Sequence, residues 1–222
     1  MRNATIALLV TAAVLLVVPG SDLMAQRRRG LVDVSPESER HGFWLNVGVA
    51  AGAENFRYEN EAGCHGTIGS YQRCDALFKP SLSLALGGTV SPYLRLGGEV
   101  NAWLYEHNDI ELGHVTSYLV GGLLTGQVYP VPRLGLFGKA GIGISRSGES
   151  FSYSSGVGET GFAYLLGAGY EIRLSRNLFL TPGVNVMHHI SSTGESDDPQ
   201  NLGTFHERVV TIGVGLTFQP GR

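Results

Sequence analysis

The chain has 222 residues, a formal net charge of −3 and 43% hydrophobic residues. Its 32 glycines follow no collagen period and form no long Gly-Ser linker, which leaves a folded domain as the expectation. No basic patch interleaves with aromatics, so a nucleic-acid partner is not expected.

The N-terminus reads as a processing signal. Met1-Arg2-Asn3 gives a short positive start, 4–18 is an apolar run without charge, and Pro19-Gly20 breaks it before Leu23-Met24-Ala25. A run this short predicts a secretory signal peptide over 1–25, not a secure spanning helix. Arg27-Arg28-Arg29 immediately after it leaves an uncleaved anchor as the alternative, and the lack of a Cys at the cut argues against a lipoprotein. Residues 26–40 are expected to be a periplasmic arm and 41–219 a single domain, with a tail over 220–222 and no cell-wall-binding domain after it. No later stretch approaches the roughly 20 apolar residues that a membrane helix needs. Cys64 and Cys74 share one polar segment of an exported chain, which predicts a local disulfide contributing about 2–3 kcal/mol. Cys64-His65 with one distant Cys lacks the paired spacing of a zinc site, and no metal or cofactor is expected.

From residue 42 onward, stretches of about ten residues alternate apolar with small or polar side chains. That period of two belongs to β-strands, whose successive side chains point to opposite faces. The first, over 42–52, sets Phe43, Leu45, Val47, Val49 and Ala51 against Trp44, Asn46, Gly48, Ala50 and Gly52. A long polar segment with the cysteines follows. The second, over 78–88, sets Leu82, Leu84 and Leu86 against Ser81, Ser83, Ala85 and Gly87, and ends in a turn at Ser91-Pro92. The third, over 93–105, places Leu94, Leu96, Val100, Ala102 and Leu104 opposite Arg95, Glu99, Asn101 and Trp103. A loop over 106–113 leads to a fourth strand over 115–128, whose pattern is the least clean, and Tyr129-Pro130-Val131-Pro132-Arg133 makes a second short turn.

The fifth strand sets Leu134, Leu136, Ala140, Ile142 and Ile144 against Gly135, Phe137, Lys139, Gly141, Gly143 and Ser145. A Ser/Gly-rich loop over 147–160 precedes the sixth, where Phe162, Tyr164, Leu166, Ala168, Tyr170 and Ile172 oppose Ala163, Leu165, Gly167, Gly169, Glu171 and Arg173. Ser175-Arg176-Asn177 turns into the seventh, over 178–188. A polar loop over 190–206 leads to the eighth, where Val210, Ile212, Val214, Leu216 and Phe218 face away from Thr and Gly alone.

Long and short connections alternate, the layout of a bacterial outer-membrane barrel with long loops outside and short turns in the periplasm. Closure is required, because the edge of an open sheet would leave amides without partners in lipid. A charge on the lipid face near mid-membrane costs about 2–4 kcal/mol, and Arg95, Glu99, Lys139, Glu171 and Arg173 all fall on the small-residue phase. The aliphatic face is therefore assigned to lipid. The interior of eight strands holds only packed side chains, so the five charges are expected to pair inside as a network and no open pore is expected.

Over about 41–218 the chain resembles the small eight-stranded outer-membrane β-barrels, the group of OmpX and the OmpA membrane domain. The most specific element is the final strand: Thr211-Ile212-Gly213-Val214-Gly215-Leu216-Thr217-Phe218 fits the family's pattern of a polar residue, a Gly two on, and two closing hydrophobics. The resemblance implies an all-β, eight-stranded antiparallel up-and-down transmembrane β-barrel in the cell outer membrane of a Gram-negative bacterium. It further implies that Thr211, Gly213, Leu216 and Phe218 are read by the barrel-assembly machinery. The chain departs from the pattern by continuing with Gln219-Pro220-Gly221-Arg222. The expected role is a monomeric, non-enzymatic surface platform, with outer-membrane lipid or lipopolysaccharide around it and a surface partner reached through four loops.

Two rival readings carry residues of their own. His188-His189-Ile190-Ser191 is similar to the His-x-Ser of lipid A deacylases, also eight-stranded barrels, in which a Ser nucleophile, a His base and a carboxylate cleave an ester. Carried over, His189 is the base, Ser191 the nucleophile and Glu195 or Glu207 the orienter. Ser192 stands where that family has Asn, and strand parity turns His189 and Ser191 inward, away from a lipid substrate. Gly42-Phe43-Trp44 is similar to the Gly-x-Trp of lipocalins, secreted eight-stranded barrels that bind small ligands, although an interfacial aromatic pair explains it better. Gly141-Ile142-Gly143 follows the strand period with no helix after it, and Gly138-Lys139-Ala140 lacks the hydroxyl of a nucleotide loop. Glu195, Asp197 and Asp198 read as an acidic solvated loop.

Overall fold

The computed structural model describes residues 41–59, 78–109, 113–151, 157–192 and 203–220. The signal segment, Cys64, Cys74, Glu195, Asp197 and Asp198 lie outside them.

Eight strands follow one another in chain order: β1 (Gly42–Tyr58), β2 (Phe78–Ser91), β3 (Leu94–Asp109), β4 (Gly113–Val128), β5 (Leu136–Phe151), β6 (Val157–Tyr170), β7 (Leu178–Ser192) and β8 (Thr204–Phe218). The strand of β6 continues past Glu171 as the two-residue Ile172–Arg173, which keeps the register with β7. Every strand pairs antiparallel with its neighbours, and β1 pairs with β8, so the sheet closes. A path across the paired residues from Leu45 passes Leu86, Gly98, Leu124, Ile142, Tyr164, His188 and Arg208, and re-enters β1 at Asn55. The return is staggered by ten residues (55 against 45), which tilts the strands by roughly 35–45°.

The strands run 14 to 17 residues, longer than the ten or so of clean alternation. The segments expected to be loops over 106–113, 147–160 and 190–206 are thus partly strand. Their backbones stay paired while their outward side chains turn polar, which erases the hydrophobic period without ending the ladder. The fifth strand begins at Leu136, two residues later than the pattern implied, because Pro132–Leu134 forms a single 3₁₀ turn closed by Gly135 at φ 70°. That left-handed value suits glycine.

The outward face is aliphatic from β1 to β8. Val47, Leu84, Leu96, Val100, Leu124, Ile142, Leu166, Ile212 and Val214 are all exposed, Leu124 at 74%. On the opposite phase Arg95, Glu99 and Glu171 are buried, and Lys139 and Arg173 are half-buried. Aliphatic side chains outside and charges inside invert the arrangement of a soluble lipocalin, and that reading is set aside. Within β4 both faces are apolar, since Val115, Leu119 and Leu123 point inward while Val120, Leu124 and Val128 point out. This is why its alternation was unclear.

Leu124→Arg is expected to destabilise the barrel by about 2–4 kcal/mol in reversible urea unfolding from lipid vesicles, as for a charge near the bilayer midplane. An unchanged midpoint would show that this face does not meet hydrocarbon.

Candidate functional site

The interior is stacked in layers along the barrel axis. At the short-turn end, Arg95 near the start of β3 and Glu171 after β6 form an ion pair with both side chains 1% exposed. The turn residue Gly135 accepts the amide of Glu171 at 3.0 Å, so the glycine-closed turn fixes the carboxylate's strand. Arg95 Nη1 also donates to the Tyr129 hydroxyl at 2.7 Å, and Nη2 donates to Gln219 Oε1. The Tyr129 oxygen lies 2.9 Å from Glu171 Oε1 and 3.0 Å from Gln127 Oε1. Gln219 in turn donates to the carbonyl of His41 at 3.1 Å, tying both ends of the described barrel to one guanidinium. The guanidinium carbon lies 5.2 Å from the Tyr129 ring centroid and 5.8 Å from that of Trp44. A Cβ on Gly97 would sit 2.8 Å from the Trp44 ring, so glycine makes room for the indole.

One layer up, Lys139 Nζ donates to both oxygens of Glu99, at 2.7 and 2.9 Å, and Asn101 donates to the same carboxylate at 3.0 Å. Arg173, the fifth charge expected in the network, is not brought to either pair. It lies half-buried with its guanidinium carbon 5.9 Å from the Phe179 ring centroid. Above the second pair, Trp103, Leu119, Leu123, Ala163, Leu165, Met187 and Val209 form an apolar core. The interior therefore combines two ion pairs with an apolar layer.

Residues 12–218 match the profile of the outer membrane protein beta-barrel domain family. The chain belongs to that family. This outer-membrane barrel is similar in structure to the neisserial surface protein A, NspA, with a TM-score of 0.51 and 12% identity, covering 81% of this chain and 97% of that one. It is also similar to Ail, the attachment invasion locus protein of Yersinia pestis, at TM-score 0.49 and 9% identity, covering 80% and 99%. OprG of Pseudomonas aeruginosa gives 0.40 and 14%, covering 84% and 100%. No curated protein matches the chain.

In this outer-membrane barrel His189, Ser191 and Glu207 all point inward and are buried. His189 and Glu207 are cross-strand partners, yet the two hydroxyl bonds go elsewhere. His189 Nδ1 meets Ser145 Oγ at 2.6 Å, and Ser191 Oγ donates to Glu159 Oε2 at 2.6 Å. Ser191 is thus held by a carboxylate from β6. Of the residues expected in the assembly signal, Thr211 and Gly213 share the inward phase, while Leu216 and Phe218 share the outward one. Beyond the end of β1, Glu59 accepts from His206 Nε2 at 3.3 Å and from the Thr204 amide at 3.4 Å; these bonds hold its carboxyl below the ordinary range.

Tyr129 and Gln219 were invisible as site residues, one read as part of a turn and the other as the residue following the final strand. Carrying strand parity one step further finds both, because Gln127 and Thr217 already face inward.

Glu171→Ala leaves Arg95 buried without its counter-charge and is expected to cost about 3–5 kcal/mol in the same unfolding experiment. An effect below about 1 kcal/mol would mean that the pair is solvated, as surface pairs are.

Proposed function

We propose that this outer-membrane barrel is a closed, non-enzymatic scaffold that holds four loops at the cell surface. The observation that carries this reading is the stacked interior. Two buried ion pairs and an apolar layer lie in series across the lumen, with only about 60 Å³ of free space beside the Lys139–Glu99 pair. Barrels of eight strands leave room for side chains and little more. The loops between β1 and β2, β3 and β4, β5 and β6, and β7 and β8 all emerge at one end, and we place that end outside the cell, following the usual asymmetry of loop length. The Cys64–Cys74 disulfide would pin the first of them.

A second feature supports a lipopolysaccharide surround. Arg57, Arg208, His188 and His206 share the outward phase near the long-loop end, with His188 Nε2 3.3 Å from His206 Nδ1. The guanidinium groups of Arg57 and Arg208 at that level suit anionic headgroups. Assembly through the final strand, and a monomeric state, complete the reading. Against the lipid A esterase stand the Ser191–Glu159 and His189–Ser145 bonds, both directed into the lumen.

Purified protein in planar bilayers is expected to give no stepwise conductance, and the double variant Glu99→Ala/Lys139→Ala to raise ion leakage. Steady nanosiemens channels from the native protein would contradict a closed scaffold. Mass spectra of lipid A from cells expressing native protein and Ser191→Ala should be identical; a lost acyl chain restored by the variant would establish the esterase instead.

A further inference from the structure

Near the long-loop end the outward phase changes character on one side of the barrel. Across β7, β8 and β1, His188 stands opposite Arg208, and His206 stands opposite Arg57. Asn55 adds an amide opposite Arg208. On β6, Tyr164 stands opposite His188 with its ring stacked on the imidazole, centroids 5.0 Å apart. Beneath this block the same phase is aliphatic wall, with Leu166, Val184, Ile212 and Val49 exposed. Toward the same end of β2, β3 and β4 the outward phase instead exposes Phe78, Leu104 and Val120, with the carboxylate of Glu106 among them. We propose that the wall formed by β6, β7, β8 and β1 seats one molecule of lipid A, with a sugar phosphate held between Arg57 and Arg208.

The site rests on the lipopolysaccharide surround proposed above and narrows it to one face and two guanidinium groups. Three observations carry it. The first is the placing of the two arginines. Arg57 and Arg208 are diagonal neighbours across the β1–β8 ladder, close enough for long side chains to meet. Two like charges so placed repel, and an anion between them turns the repulsion into attraction. A guanidinium offers five donors in a plane, more than one protein partner can occupy, and phosphate oxygens accept two of them side by side. The second is the engagement of the acidic neighbour. Glu59, at the upper edge of the block, accepts from His206 Nε2 at 3.3 Å and from the Thr204 amide at 3.4 Å. His206 Nδ1 in turn meets His188 Nε2 at 3.3 Å, so a chain of contacts from Glu59 through His206 and His188 to Tyr164 runs beside the arginines. The third is extent. Four adjoining strands span three spacings, about 14 Å, which is wider than one glycerophospholipid headgroup. A two-sugar headgroup bearing phosphates above several acyl chains suits that width, with the chains laid on Leu166, Val184, Ile212 and Val49 and the phosphate at the level of the arginines.

The test uses the full chain refolded in detergent, with folding checked by heat-modifiable migration for every variant. Native mass spectra during titration with bisphosphorylated lipid A are expected to show one retained molecule per barrel. Lipid A stripped of its phosphates should bind at least about tenfold more weakly. Arg57→Gln and Arg208→Gln should each weaken the phosphorylated form about fivefold. Arg146→Gln on β5, where Nε donates to the Tyr118 hydroxyl at 3.4 Å, removes the same charge from the outward phase outside the block and should leave the affinity unchanged. Equal retention of phosphatidylglycerol or of dephosphorylated lipid A would overturn the assignment, as would an affinity indifferent to both Arg57 and Arg208. An equal loss for Arg146→Gln would overturn the local site while leaving a lipopolysaccharide surround in place, and no retention of lipid A by the folded native barrel would overturn both. If one arginine variant does not fold, the other decides.

Discussion

A chain crossing hydrocarbon must satisfy every backbone amide and carbonyl from within itself, and the rest of this structure depends on that requirement. Strands meet it only by closing, and closure occurs here through the β1–β8 ladder from Leu45–Phe218 to Tyr58–Phe205. A closed pleat then has two faces with opposite surroundings. Lipid accepts the aliphatic phase, while charges are tolerated only in the lumen. The ten-residue stagger sets how wide that lumen is, and eight tilted strands leave space for side chains alone. The interior chemistry is therefore solved within a narrow cylinder.

The solution is graded from one end to the other. At the short-turn end Arg95 takes partners from a turn, from the continuation of β6 and from the residue that follows β8, so one guanidinium couples segments far apart in sequence. Such a buried pair is weak evidence for stability on its own account, because desolvation offsets the attraction. Its value lies in geometry, since five donors in a fixed plane accept only one arrangement of Glu171, Tyr129 and Gln219. The apolar layer in mid-barrel resembles the core of a water-soluble protein. Ion pairs and seal follow each other along one axis.

Much of the wall was legible in the sequence, because period two records the pleat directly and the bilayer penalises any charge on the wrong phase. Arg95, Glu99, Lys139 and Glu171 announced themselves as isolated charges among glycines and small residues. Their partners did not, since Tyr129 and Gln219 sit where the hydrophobic period has stopped. Strand ends were lost for the same reason: beyond the lipid, pairing persists without an aliphatic face to mark it. The outward block was dispersed over the ends of three strands, in segments read as loops or strand rims, and only the closed register brings Arg57, His188, His206 and Arg208 together. Arg173 shows the converse limit. Parity gave its face, but not that Phe179 would be its neighbour.

The account turns on which phase meets lipid, and quenching by brominated acyl chains tests this most directly. In a background with Trp44 and Trp103 replaced by Phe, a tryptophan at Leu124 should be strongly quenched and one at Leu123, a single residue away, only weakly. Equal quenching at both positions, or the reverse order, would contradict the assignment of the aliphatic face to the membrane.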